Sequence, residues 1–231
     1  MRMFKAITLT WAVFFLLSFS SSIYAASTKE VFSVTPKGFE KPFEVSIHLP
    51  NEYAKNMEKS YFVILDLHPK SPLYLSGLHD WLSHNGEWPW LETIVVTPSA
   101  YHPEFAALFE ETAKNPNDME MLDFIETHIL KEVDKRYRTN KFRIFSGFMS
   151  NGAIGLYALV NKPEMFNALI VSSPSIGNNF LSIESDFSKK LKSLKGYNRF
   201  LYMAIGDHGY EKSHISAFDS VKETLTSNAP N

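Results

Sequence analysis

Between Arg143 and Gly152 the chain reads Arg-Ile-Phe-Ser-Gly-Phe-Met-Ser-Asn-Gly, a strand-like run that ends in small residues. A sharp turn from strand into helix needs tiny or backbone-tolerant residues two before and two after its apex, because the chain nearly folds onto itself there. With the apex at Met149, Gly147 meets the first demand and Asn151 the second, since Asn enters the left-handed region more readily than most residues. Gly152 then allows close packing at the helix start. The apex of such a turn is where an acyl-transfer enzyme holds its nucleophile, but a thioether has no proton to lose and forms no acyl intermediate. Moving the apex to Ser150 supplies a hydroxyl and sets bulky Phe148 two before it, where it crowds the turn. The spacing therefore sets the apex at Met149, with Ser150 as the alternative.

The elements that must position this turn alternate in the α/β manner. Residues 30–35 and 43–49 read as an opening antiparallel pair around Pro36-Lys-Gly38. Residues 61–67 form a continuous apolar run suited to a buried strand, with a helix over 73–83 behind it. A strand over 93–97, a long amphipathic helix over 119–137 and a strand over 142–145 lead into the turn. Beyond it, 199–205 reads as a short strand and 213–227 as a helix with Ile215, Phe218, Val221 and Leu225 on one face.

Residues 1–25 have the composition of a signal peptide: Arg2 and Lys5 at the start, an apolar run from Ala6 to Phe19, and small residues from Ser20 to Ala26. That predicts export to a periplasmic or secreted location; the apolar run is short for a membrane span, and an uncleaved anchor is the competing reading. Residues 26–231 then suffice for a single domain. The 45% hydrophobic and 21% charged content is that of a globular protein, and the absence of cysteine leaves stability to the core. Removing Arg2 and Lys5 takes the basic count from 23 to 21 against 25 acids, a formal charge of −4. Such a balance points to neither nucleic acid nor an anionic membrane as partner.

The stretch Arg143 to Ser175 resembles the esterase branch of the α/β-hydrolases that includes enterobactin-type siderophore esterases. There a strand ends in Gly-His-Ser-x-Gly-Gly, a helix follows, and Asn-x-Pro-x-x-Phe leads to a strand ending in Ser-Pro-Ser. Asn161-Lys-Pro-Glu-Met-Phe166 and Ser173-Pro-Ser175 match, and the family serine falls on Met149, so the resemblance implies a degenerate nucleophile position at Met149 with Ser150 as the alternative nucleophile. The resemblance covers residues 32 to the end and is specific only over about 121–175. It implies an α/β-hydrolase fold: a mostly parallel central sheet with helices on both faces and N-terminal antiparallel strands. It also implies carboxylic-ester chemistry without a cofactor or metal, on a small-molecule ester or acyl ligand.

The same resemblance assigns a triad acid after the strand at 199–205, hence Asp207 first and Glu211 second; a plain turn role for Asp207 is the competing reading. The family has one more strand and then its triad His, whereas this sequence ends at Asn231. His208 and His214, the only histidines after the turn, lie too early. The expectation is a C-terminally truncated domain whose last strand is missing and whose sheet edge is exposed to self-association. The oxyanion hole would take the Ser150 N–H and one from the loop His68-Pro-Lys-Ser71; Pro69 has none, so Lys70 or Ser71 must serve. His68 either lines the same mouth or caps the strand. The family usually carries Asp-Gly in this loop where the chain has Leu67-His68.

Other residues carry less. His79 and His84 fall on different helix faces, which argues against a zinc pair, and a metal at His208, Glu211 and His214 is disfavoured by Gly209. Trp81, Trp88 and Trp90 are read as core or rim packing before pocket lining. Lys189, Lys190, Lys192 and Lys195 are read as a solvated helix face. Together these residues predict an exported esterase-type domain with impaired or absent catalysis; the alternatives are an active esterase using Ser150, or a non-catalytic protein that binds a ligand or partner.

Overall fold

The structure, a computed structural model, describes residues 28–84, 86, 89–115, 118–176, 189–190 and 198–228. The leader, Trp88, Lys192, Lys195 and Asn231 lie outside the described residues. Seven strands form one sheet in the order β1-β2-β4-β3-β5-β6-β7. They are β1 (Thr28–Val34), β2 (Phe43–Leu49), β3 (Tyr61–Asp66), β4 (Thr93–Pro98), β5 (Thr139–Phe148), β6 (Ala168–Ser172) and β7 (Phe200–Ala204). β1 and β2 are antiparallel, β2 meets β4 antiparallel, and every pairing from β4 to β7 is parallel. All six residues of β4 and five of six in β3 are buried, as parallel strands covered on both faces must be.

The helices are α1 (Pro72–Ser83), α2 (Pro103–Lys114), α3 (Glu120–Phe124), α4 (Lys131–Arg136), α5 (Ser150–Asn161) and α6 (Ile215–Asn228). A π-helical stretch, Ile125–Leu130, joins α3 to α4, where sequence periodicity predicts one α-helix. Ile125, Ile129 and Leu130 of this stretch are buried in the core. α2 is not among the elements that periodicity predicts, although Pro103 in its first turn, Glu104 behind it and Lys114 at its end are helix-boundary signals. A 3₁₀ turn, Gly209–His214, precedes α6.

The larger core lies on the face covered by α3 to α6, with Phe145, Ile154, Leu156, Leu169, Phe218 and Val221 among its buried residues. On the opposite face a small cluster of Ile64, Leu75, Val95, Ile144 and Ala168 lies under α1. α5 sits unusually close to the sheet: a Cβ on Gly155 would lie 2.8 Å from the Phe145 ring. Opposite it, His79 of α1 is buried and its Nδ1 accepts the Trp90 indole N–H at 3.1 Å.

Burial holds the His79 imidazole below its ordinary value, and burial with Lys29 nearby does the same for His48, which lines the same small cavity with Asp80. A histidine depressed in the folded state leaves stability intact above its unfolded value, 6.5, and withdraws it as pH falls, because the unfolded chain takes the proton first. Urea unfolding is expected to show stability falling as pH drops below about 6.5, and more shallowly in His79→Gln. An unchanged slope in that variant would remove His79 as the cause.

Candidate active site

The turn from β5 into α5 places Met149 at its apex with φ 52° and ψ −120°. This is a region that few residues other than glycine enter, and it persists only where the surroundings over-determine it. Three backbone bonds do so. Met149 N–H donates to Ser172 O at 3.0 Å, and Met149 O accepts from Ala153 N–H at 3.1 Å and Ser175 N–H at 3.2 Å. Gly147 is demanded by the same closure: a Cβ there would lie 2.7 Å from both C and O of Asn151. The apex is thus at Met149 and not at Ser150, which opens α5. In that first turn the Ser150 N–H has no intrahelical acceptor and belongs to the positive end of the helix.

A second arm is built from the ends of β6 and β7. Ser173 also has positive φ, 44°, and its N–H donates to Ala204 O at 2.7 Å, tying the two strand ends together. Its hydroxyl donates to the Glu211 carboxylate. That carboxylate fills the space beside Gly206, where a Cβ would collide with it. Tyr210 donates to the buried Ser175 hydroxyl at 3.0 Å, and its ring lies 4.6 Å from that of buried His214. The structure therefore brings Met149, Ser173, Ser175, Tyr210 and Glu211 into one connected cluster. Asp207 is outside it: its side chain is 81% exposed and pairs with the equally open His208.

The third arm is the loop after β3. Asp66, buried at the end of the strand, accepts the His68 N–H at 2.8 Å, and Tyr74 reaches its other oxygen at 3.5 Å. Partial burial, with Asp66 beside it, holds the Tyr74 phenol above its ordinary value. His68 Nδ1 accepts the Lys70 N–H at 3.2 Å, and His68 O accepts the Ser71 N–H at 3.0 Å. Both loop N–H groups named for the oxyanion hole are thus engaged within the turn itself, and His68 is its organiser. Asp66 ends an apolar run and carries no motif; its one signal in the sequence is an acid at the C-terminal end of a buried strand. Trp81, read as packing, is 67% exposed on α1, and Lys190 bonds Asn161 at 2.7 Å.

No family model matches the chain, and no curated protein matches its sequence. Solved structures do. The BES protein from Bacillus cereus superposes with a TM-score of 0.70 at 18% identity, over 89% of this chain and 83% of that one. An IroE-like serine hydrolase from Shewanella oneidensis gives 0.68 at 20% identity, over 88% and 71%. The siderophore hydrolase EstA from Aspergillus nidulans gives 0.68 at 14% identity, over 88% and 84%. At such identities the likeness establishes the fold, and this chain has the α/β-hydrolase fold.

Proposed function

We propose that this chain is an exported α/β-hydrolase domain of the carboxylic-ester-hydrolase type that retains a pocket for a small ester or acyl ligand and has lost acyl transfer. The observation that carries the reading is Met149 at the strained apex, φ 52° and ψ −120°, where the fold presents its nucleophile. A thioether there can touch a ligand but cannot be acylated. The neighbouring structures include a serine hydrolase and a siderophore hydrolase, which supports an ester-like ligand class. The Ser150 N–H remains available to a carbonyl oxygen, and the Ser173–Glu211 pair lines the strand ends beside it. Export rests on the composition of residues 1–25.

The test is mass-spectrometric mapping of a fluorophosphonate probe on the mature chain beside its Met149→Ser variant. The expected result is no adduct on the native chain and an adduct at position 149 in the variant, meaning a pocket still shaped for acyl chemistry. An adduct on Ser150 of the native chain would overturn the loss of catalysis. No adduct on either protein would leave the loss of acyl transfer standing and overturn a restorable site, because the variant serine would then lack an activating base as well.

A further inference from the structure

The sheet face that carries α1 is only partly covered. The register places Ile64, Ile144, Ala168 and Phe200 on that face in one row, and Asp66, Ser146, Ile170 and Tyr202 in the next. α1 shields the β3 and β4 side of the rows through Leu75. No described element shields the other end, where Phe200 is 62%, Tyr202 53% and Phe142 36% exposed. Among the described residues β7 is the edge strand of the sheet, and residues 200–206 contain no charge to guard that edge.

α1 borders this bare area with a flank of its own. Its polar side, Ser76, Asp80 and Ser83, lines the small cavity shared with His48 of β2. β2 lies beyond β4, away from β5, so the opposite flank of α1 faces the β5–β7 side. That flank carries Tyr74, Leu78 and Trp81 at i, i+4 and i+7, exposed by 55%, 48% and 67%. The Tyr74 hydroxyl reaching Asp66 at the end of β3 agrees with this orientation. The result is an apolar groove with the β5–β7 face as floor and α1 as wall.

We infer that the occupant is α1 of a second copy of this chain, docked reciprocally. From β3 to β7 is three strand spacings, about 14 Å, which leaves room beside α1 for one helix of about 10–12 Å diameter. α1 spans about 18 Å and a five-residue strand about 17 Å, so helix and floor match in length. Each copy offers both the helix and the gap on one side of its sheet, the self-complementarity that a two-fold axis requires. The six exposed side chains present roughly 650 Å² per protomer, so they can contribute up to about 1,300 Å² across two copies, which reaches the lower end of the range of about 1,200–2,000 Å² for specific complexes. A lipid surface fits less well, because no Lys or Arg lies on α1 and the net charge is −2.

The test is sedimentation of the mature chain over a concentration series. A reversible monomer–dimer equilibrium is expected, with Leu78→Lys on the wall and Tyr202→Lys on the floor each weakening it by about tenfold or more. Both positions are exposed, so unchanged circular dichroism and melting will show that the variants fold. Because the chain has no cysteine, Trp81→Cys and Phe200→Cys chains mixed in equal amounts should form a disulfide with each other. A native chain that stays monomeric at about 100 µM, far above the dissociation constants usual for interfaces of this area, overturns the inference. So does a dimer indifferent to both lysines, or a monomer that instead floats with phosphatidylcholine vesicles.

Discussion

Gly147→Ala is expected to lower folding stability by about 3 kcal/mol or more, measured by urea unfolding, and to abolish any ligand binding at the β5–α5 turn. The added methyl would sit 2.7 Å from C and O of Asn151 and 2.8 Å from N of Gly152. Those are backbone atoms, so they cannot yield by a rotamer change; the turn itself must open. Opening it pulls Met149 away from Ser172 O and Ser175 N, the bonds that hold the apex at φ 52°. Gly77→Ala on α1 is the control, because no atom lies within 4 Å of a Cβ there. It should be neutral or stabilising by up to about 1 kcal/mol. Equal losses at the two glycines would show that the strained apex is not what Gly147 protects.

Phe145→Ala should cost about 3–5 kcal/mol, because the ring is fully buried and packs against Phe166 at 5.1 Å. The informative result is its coupling to Gly155. In the native background Gly155→Ala drives a methyl to 2.8 Å from Cδ1 and Cε1 of Phe145 and 3.3 Å from Val171, an overpacking worth about 1–3 kcal/mol. With the ring removed the same methyl enters the cavity, and alanine is favoured over glycine in a helix by about 1 kcal/mol. Gly155→Ala should therefore change sign, destabilising alone and stabilising beside Phe145→Ala. Simple additivity in the double-mutant cycle would mean that α5 is not seated on this ring.

The two effects share one cause. α5 must lie close to β5 and β6 for the turn at Met149 to close, and Gly147, Gly152 and Gly155 clear the path in succession. The glycines are required by the closeness of two backbones, whatever residue occupies the apex. The sharp strand-to-helix turn can therefore stand with a methionine at its apex.

Local chemistry made much of this legible in the amino-acid order. The strands at 61–66 and 93–98 announce themselves as apolar runs and the strand at 43–49 as an alternation of apolar and polar residues, and the observed ends of all three differ by a residue at most. Met149 at the apex followed from the small residues flanking it, because the sterics of a tight turn act over five consecutive positions. What the order could not reveal were relations between distant segments. The capture of Glu211 by Ser173, 38 positions away, depends on β6 and β7 lying side by side, as does the exclusion of Asp207 from that cluster. Asp66 and the engaged N–H groups of Lys70 and Ser71 depend on how the β3 loop folds back on itself. The exposure of Trp81 with Phe200 and Tyr202 is likewise a tertiary fact. Periodicity says that a helix or strand has an apolar side, but only packing decides which apolar sides find cover.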